Sequence, residues 1–368
     1  MKLPVSESQF LHDYWQQRPL LLPQAFPNFV SPISADELAG CAMEEHIESR
    51  LVTRCNGIWA QLEGPFSAED FRRGDEWTLL VQGLDLWHEG VAALRRHLDF
   101  LPSWRYDDIM VSYAVDGAGV GPHFDRYDVF LLQGEGCREW RVGPRCDGET
   151  PTLQEQELNL IPEFEPTNTY LLSPGDVLYI PPYIAHWGIA KGESLTFSLG
   201  FRAPSIADLL ARRTDDLLER LDPTSLLEDL PGLSSGRPGE ITHEHVRNAK
   251  DAMANALDAL DNDRWFGETV TRIETPDADD DALPAPPLLG PLVQLTPHTR
   301  VAWSVTQQHL DVFINGEAFT ASVSATSSLV HLCSGKRITL TSLSQSAPEL
   351  FEALISMDAL ENSDADTE

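Results

Sequence analysis

Between residues 6 and 17, Phe10 and Tyr14 stand four positions apart, as do Leu11 and Trp15, which is the spacing of a helix face. Ser34 followed by Glu37 is a capping-box pattern and predicts the start of a second short helix. From Leu51 onward the pattern becomes that of strands. Segments 58–62, 77–81, 109–115, 127–133, 139–142, 168–172, 176–180 and 194–201 each read as one, separated by glycine, proline and aspartate. Many short strands punctuated in this way predict a barrel or sandwich.

The pattern changes after Pro204. Ile206, Leu209, Leu210, Leu217, Leu218 and Leu221 fall at helical spacing, and a Pro/Gly/Ser-rich loop follows over 222–239. Thr242 is placed to cap a further helix carrying Val246, Ala249, Met253, Leu257 and Leu260. These apolar stripes have no sheet of their own to cover, so they predict packing on each other or on a second chain. Residues 274–287 are rich in Asp and Pro and read as a linker. The remainder reads as a small α+β unit, with strands at 300–305 and 310–314, an Asn315-Gly316 hairpin turn, and helices near 327–332 and 348–357.

A chain of 368 residues with 42% hydrophobic content is globular and long enough for two or three domains. No apolar run approaches the roughly 20 residues of a membrane span, and the first residues carry no signal-peptide core, so a cytoplasmic protein is expected. The five cysteines are odd in number and never spaced C-x-x-C, which predicts free thiols. The net charge of −32 repels phosphate backbones and attracts a basic protein partner, while serving solubility in a salty cytoplasm equally well. Direct nucleic-acid binding is therefore not expected, nor is membrane binding. The segment from Ala285 onward agrees, with nine acidic residues against three basic ones.

Three His-x-Asp triplets occur: His97-Leu98-Asp99, His123-Phe124-Asp125 and His309-Leu310-Asp311. On a strand, residues i and i+2 face one side and can ligate one metal; on a helix they diverge. The first triplet lies in a helical pattern. The third has its nearest downstream histidine, His331, in a predicted helix. His243-Glu244-His245 opens a helix with no third ligand nearby. The second triplet differs in its surroundings. Gly117, Gly119, Gly121 and Pro122 precede it, a strand follows, and His186 lies downstream at the end of a strand entered through Pro174-Gly175-Asp176. Two imidazoles and one carboxylate on a single face form the ligand set of a non-haem Fe(II) oxygenase.

Together, His123-x-Asp125, the Pro174-Gly175-Asp176 turn, Tyr179-Ile180-Pro181-Pro182 and His186 resemble the JmjC branch of the cupin-like 2-oxoglutarate oxygenases. Gly121-Pro122-His123-Phe124-Asp125-x-Tyr127-Asp128, Trp140-Arg141-Val142-Gly143, Ser198-Leu199-Gly200-Phe201-Arg202-Ala203-Pro204 and Trp265-Phe266-Gly267-Glu268 resemble its bacterial ribosomal oxygenases. The known member of that group hydroxylates an arginine of large-subunit ribosomal protein L-sixteen.

The resemblance implies a mainly β fold with α elements. A double-stranded β-helix catalytic domain would span 1–204 and a helical dimerisation region 205–273, followed by the 274–287 linker and a winged-helix-like α+β domain over 288–368. It implies a homodimer, Fe(II) held by His123, Asp125 and His186, and 2-oxoglutarate and dioxygen as co-substrates. Arg138 is the position expected to bind the far carboxylate of 2-oxoglutarate, because a guanidinium fork matches a carboxylate. Thr196 is expected to assist, with Ser198 behind it. Asp116, Tyr127 and Asp128 are the candidates for gripping a cationic substrate side chain. The alternatives are a histidine-directed ribosomal protein hydroxylase and a non-catalytic ribosome-binding module.

Overall fold

The computed structural model describes residues 1–153, 160–229, 237–259, 264–273, 288 and 290–363. The chain divides into two compact units, Met1–Ala203 with Ser334–Lys336, and Pro204–Cys333 with Arg337–Glu368. The expected 274–287 linker lies outside the described residues. No helix among those described is long and apolar enough to cross a membrane.

In the first unit, α1 (Glu7–Asp13) is capped by Ser6, and α2 (Ala35–Cys41) carries the full Ser34/Glu37 capping box. The short α3 (Glu89–Ala92) runs on into 3-10 turns over Ala93–Leu98. The strands are β1 (Leu20–Leu22), β2 (Ser49–Cys55), β3 (Ile58–Glu63), β4 (Glu76–Val81), β5 (Tyr106–Ala114), β6 (Asp128–Arg145), β7 (Asn168–Leu172), β8 (Val177–Ile180) and β9 (Ile184–Phe201). They form one sheet in the order β1-β8-β6-β9-β5-β4-β2-β3, with β7 added to β6.

Two expectations change here. Segments 127–133 and 139–142 are not separate strands but the two halves of β6, and β9 begins ten residues before the expected 194. The two 18-residue strands pair with each other from Asp128↔Phe201 to Arg145↔Ile184. The register shifts between Gln133 and Cys137. There the long strand changes neighbours, from β8 along 129–132 to β7 along 138–142. Such bulges bend a ladder without ending it. Gly136 sits at the bend with φ +61°, and a Cβ there would collide with the Glu193 carbonyl.

The sheet has two differently filled faces. The outer one carries Phe130, Leu132, Tyr179, Phe197 and Phe201, covered by Phe10 of α1 and by Trp15. Under this cover the Tyr179 hydroxyl donates to Asp128 and the Arg105 guanidinium pairs with it at 3.0 Å. Asp128 is therefore fully buried and structural, which removes it as a substrate candidate. The inner face carries Val129, Leu131, Leu178, Ile180, Trp140 and Val142, together with buried Gln133, Arg138, His186 and Thr196.

The second unit begins with α4 (Ile206–Arg220), α5 (His243–Ala259, capped by Thr242) and α6 (Arg264–Thr271). Then come β10 (Leu292–Leu295), β11 (Val301–Val305), β12 (Leu310–Ile314), β13 (Glu317–Ala321), α7 (Thr326–Cys333), β14 (Ile338–Thr339), α8 (Leu340–Ser346), α9 (Pro348–Ser356) and β15 (Leu360–Asn362). Asn315 and Gly316, both at positive φ, make the β12–β13 hairpin turn. The helix α6, which no sequence pattern set apart, packs on β11–β13 as well as on α4. Ile206, Leu210 and Leu218 of α4 and Val246 and Met253 of α5 stay exposed.

The bend at Gly136 yields a stability prediction. Gly136→Ala should destabilise the protein by about 2–4 kcal/mol, from left-handed backbone strain plus a clash with backbone. The urea midpoint, compared with that of Gly148→Ala, where a Cβ meets nothing within 4 Å, checks it.

Candidate active site

His123 lies on the segment that follows the glycine-rich turn and pairs with β9. Its N–H donates to the His186 carbonyl at 3.0 Å, and the His186 N–H donates to the His123 carbonyl at 2.8 Å. This reciprocal bridge places the two rings with centroids 4.4 Å apart. Asp125, two residues on, brings Oδ2 to 3.5 Å from His186 Nε2. Its carbonyl accepts from Tyr183 N–H at 2.7 Å, tying the segment to the start of β9. Donor atoms of His123, Asp125 and His186 all lie within 4.8 Å of one another.

Both imidazoles are oriented by short local bonds. His123 Nδ1 lies 2.9 Å from the Gly121 carbonyl, and His186 Nδ1 lies 2.9 Å from the Ile184 carbonyl. A carbonyl only accepts, so each Nδ1 carries the proton and each Nε2 lone pair is free for a metal. Burial, and then the neighbouring His123, hold His186 down at about 4, so its ring is neutral near pH 7. Neutral imidazoles and a carboxylate are the donor set that a divalent cation requires.

Arg138 points into the same interior and is 4% exposed. Its Nε and Nη2 donate to Ser194 Oγ at 3.3 and 3.1 Å, and its Nη1 donates to Ser112 Oγ at 3.0 Å. No carboxylate pairs with it among the described residues, and burial alone lowers its guanidinium to about 10. A buried cation surrounded only by neutral hydroxyls is costly. It calls for an anion, and the far carboxylate of 2-oxoglutarate fits.

Thr196 shares this interior but does not reach the guanidinium. Its hydroxyl donates to Gln133 Oε1 at 3.1 Å. Ser112 and Ser194 are the hydroxyls that reach Arg138. Single serines on strands give no sequence signal until cross-strand register puts them opposite one another. Ser198 is half-buried, two residues further along β9.

Tyr127 hydrogen-bonds Asp125, and burial together with that carboxylate raises its phenol far above the usual range. Arg202 lies over the Tyr127 ring at 5.6 Å and pairs with Asp107 at 2.8 Å. Asp108, whose charge is felt at Tyr127, is raised to about 6, mainly by burial and then by Asp107. These two carboxylates had escaped the sequence reading. Asp116 is exposed, and its Oδ1 accepts from Gly192 N–H at 2.7 Å.

The other histidine motifs find local partners. His97, in the 3-10 turns, meets the N-terminal amine at 3.1 Å. His309 pairs with Asp311, which also binds Arg264. His245 bonds to Thr242. None of the five cysteines forms a disulfide.

The comparisons agree with this geometry. Residues 93–209 match a family model described as a JmjC domain, and residues 247–361 match a ROXA-like winged helix. The chain is 39% identical to the ribosomal protein uL16 3-hydroxylase of Escherichia coli over 272 residues, 74% of this chain and 73% of that one. It belongs to the JmjC ribosomal oxygenases. A probable ribosomal oxygenase of Haemophilus influenzae is 36% identical over 67% of this chain and 63% of its own length. A crystal structure of the Escherichia coli ribosomal oxygenase YcfD superposes with TM-score 0.82 at 33% identity, covering 98% of this chain and 99% of the other. A further structure of that protein, with cobalt and 2-oxoglutarate, gives 0.80 at 32% identity over 98% and 99%. Like its relatives, this ribosomal oxygenase is a 2-oxoglutarate-dependent oxygenase using Fe(II) and dioxygen, built from a cupin-like barrel and a winged helix.

A pH dependence follows for the metal-free protein. A histidine depressed in the fold contributes stability above its ordinary value of 6.5, and that contribution drains away as pH falls toward 4. Wild type should lose on the order of 3 kcal/mol more than His186→Gln across this window. Denaturant melts of both proteins at pH 7 and pH 4 give the difference.

Proposed function

We propose that this oxygenase hydroxylates an arginine side chain of ribosomal protein uL16. The observation that carries the reading is the 39% identity, across most of both chains, to a protein named for uL16 hydroxylation. The arginine comes from the bacterial ribosomal-oxygenase motifs, and the net charge of −32 supports a basic protein partner. The acidic winged helix argues for a protein partner over nucleic acid, and a ribosomal substrate puts the enzyme in the cytoplasm.

His123, Asp125 and His186 hold Fe(II), which supplies dioxygen activation coupled to decarboxylation of 2-oxoglutarate to succinate and carbon dioxide. Arg138, with Ser112 and Ser194 behind it, receives the far carboxylate. Thr196 braces this wall through Gln133. Neutral His186 leaves its Nε2 lone pair available throughout the working pH range. Tyr127, bonded to Asp125, fixes that carboxylate and offers a ring at the edge where a substrate side chain enters. The intact triad and Arg138 argue against a retired, purely binding module.

The experiment is incubation with Fe(II), 2-oxoglutarate and a uL16 peptide, followed by mass spectrometry. An arginine gaining one oxygen is expected, with turnover abolished in Asp125→Ala. A product on histidine would move the protein to the histidine-directed class, and no product on uL16 would overturn the assignment.

Arg138→Met should weaken 2-oxoglutarate binding roughly 30- to 1,000-fold, the equivalent of about 2–4 kcal/mol for a buried charge-assisted contact. Metal content should be unchanged. Calorimetric titration of 2-oxoglutarate into the metal-loaded proteins reads it.

We also propose that the exposed apolar residues of α4 and α5 are covered by a second copy of the chain. Light scattering at micromolar concentration should give the dimer mass, and Leu210→Glu with Leu218→Glu should shift it to the monomer. A wild-type monomer would overturn the dimer.

A further inference from the structure

Along the inner face of β6, Arg138, Trp140 and Val142 alternate inward, opposite Ala190, Gly188 and His186 of β9. Trp140 is thus flanked by the two ends of the site. Its ring centroid is 5.9 Å from the Arg138 Cζ and 5.9 Å from the centroid of the His186 ring. The ring is tightly seated, because a Cβ on Gly188 would come within 2.8 Å of its Cη2 and Cζ3 atoms. The residue is 5% exposed, yet its Nε1 is buried without a hydrogen-bond partner in the protein.

An unmade bond of this kind is costly and uncommon in a native interior. An indole N–H can only donate. Of the two residues that flank the ring, Arg138 is a donor, and the His186 Nε2 lone pair would be taken by a metal. 2-Oxoglutarate, lying between a metal at His186 and the Arg138 guanidinium, would bring carboxylate and keto oxygens past the ring.

We infer that the Trp140 indole N–H donates a hydrogen bond to bound 2-oxoglutarate, making this tryptophan a co-substrate-binding residue rather than part of the barrel wall alone. The inference rests on the reading of the pocket given above. Trp140→Phe removes the N–H and keeps an aromatic ring over Gly188. It should bind 2-oxoglutarate roughly tenfold or more weakly, the effect of losing one hydrogen bond to a charged group.

The test titrates 2-oxoglutarate calorimetrically into Zn(II)-loaded wild type and Trp140→Phe, with zinc content and thermal unfolding measured on both. In parallel, indole-15N-labelled wild type is followed by NMR, the Trp140 resonance being the one missing from the variant. Weakened binding with unchanged zinc content, and a downfield shift of that resonance on adding 2-oxoglutarate, are expected. Equal affinities, or a resonance that does not move while wild type binds, overturn the inference and leave the pocket reading intact. Wild type that takes up no 2-oxoglutarate overturns the pocket reading itself. Should Trp140→Phe not fold, the NMR shift in wild type decides, with Trp140→His supplying the missing peak.

Discussion

The antiparallel pairing of β6 with β9 is the constraint on which the first unit depends. The two strands share one ladder over their full 18-residue lengths, and His186, Trp140 and Arg138 are fixed by its register. Val142 opposite His186, Trp140 opposite Gly188 and Arg138 opposite Ala190 are three rungs of the same ladder. A one-residue slip would turn the ligand, the aromatic wall and the cation outward together. The bulge around Gly134 and Gly136 shifts the register and bends the ladder without ending it, so a flat sheet becomes a chamber with an anion end and a metal end.

The chamber is electrostatically incomplete. Its cation end is a desolvated guanidinium facing two serine hydroxyls, and its metal end is a pair of imidazoles beside one carboxylate. Each end is unfavourable alone. A dianion reaching from one to the other, with a dication at the far end, relieves both. The outer face of the same strands shows the contrasting solution. Asp128 is buried too, but Arg105 and Tyr179 satisfy it fully, and it has a purely structural part.

Much of this was legible in the sequence. The His-x-Asp triplet was separated from its two look-alikes by its neighbours: glycines and a strand around His123, helical spacing around His97. The capping box at Ser34 and the Asn315-Gly316 hairpin are local patterns and needed no tertiary information. The failures share a cause. Gly134 and Gly136 read as a turn because sequence periodicity cannot distinguish a chain end from a bulge. Thr196 was placed on the right face by its period of two, but which hydroxyl reaches Arg138 depends on cross-strand distances that no spacing encodes. Asp116 was chosen for its nearness in sequence to His123, and its bond to Gly192 is a tertiary contact that no spacing announces. α6 found a sheet in a segment that composition had set apart by a linker.

The hydrogen bonds from the two ligand imidazoles to Gly121 and Ile184 have one more consequence. Each ring hangs from the carbonyl two residues before it, so its aim does not wait for a metal to arrive. A site prepared in this way spends little ordering entropy on capture, and affinity follows the intrinsic preferences of its nitrogen and oxygen donors. Those preferences rank cobalt, nickel and zinc above ferrous iron. Donor affinity alone therefore does not favour ferrous iron at this site, and zinc or nickel in surplus would compete for it.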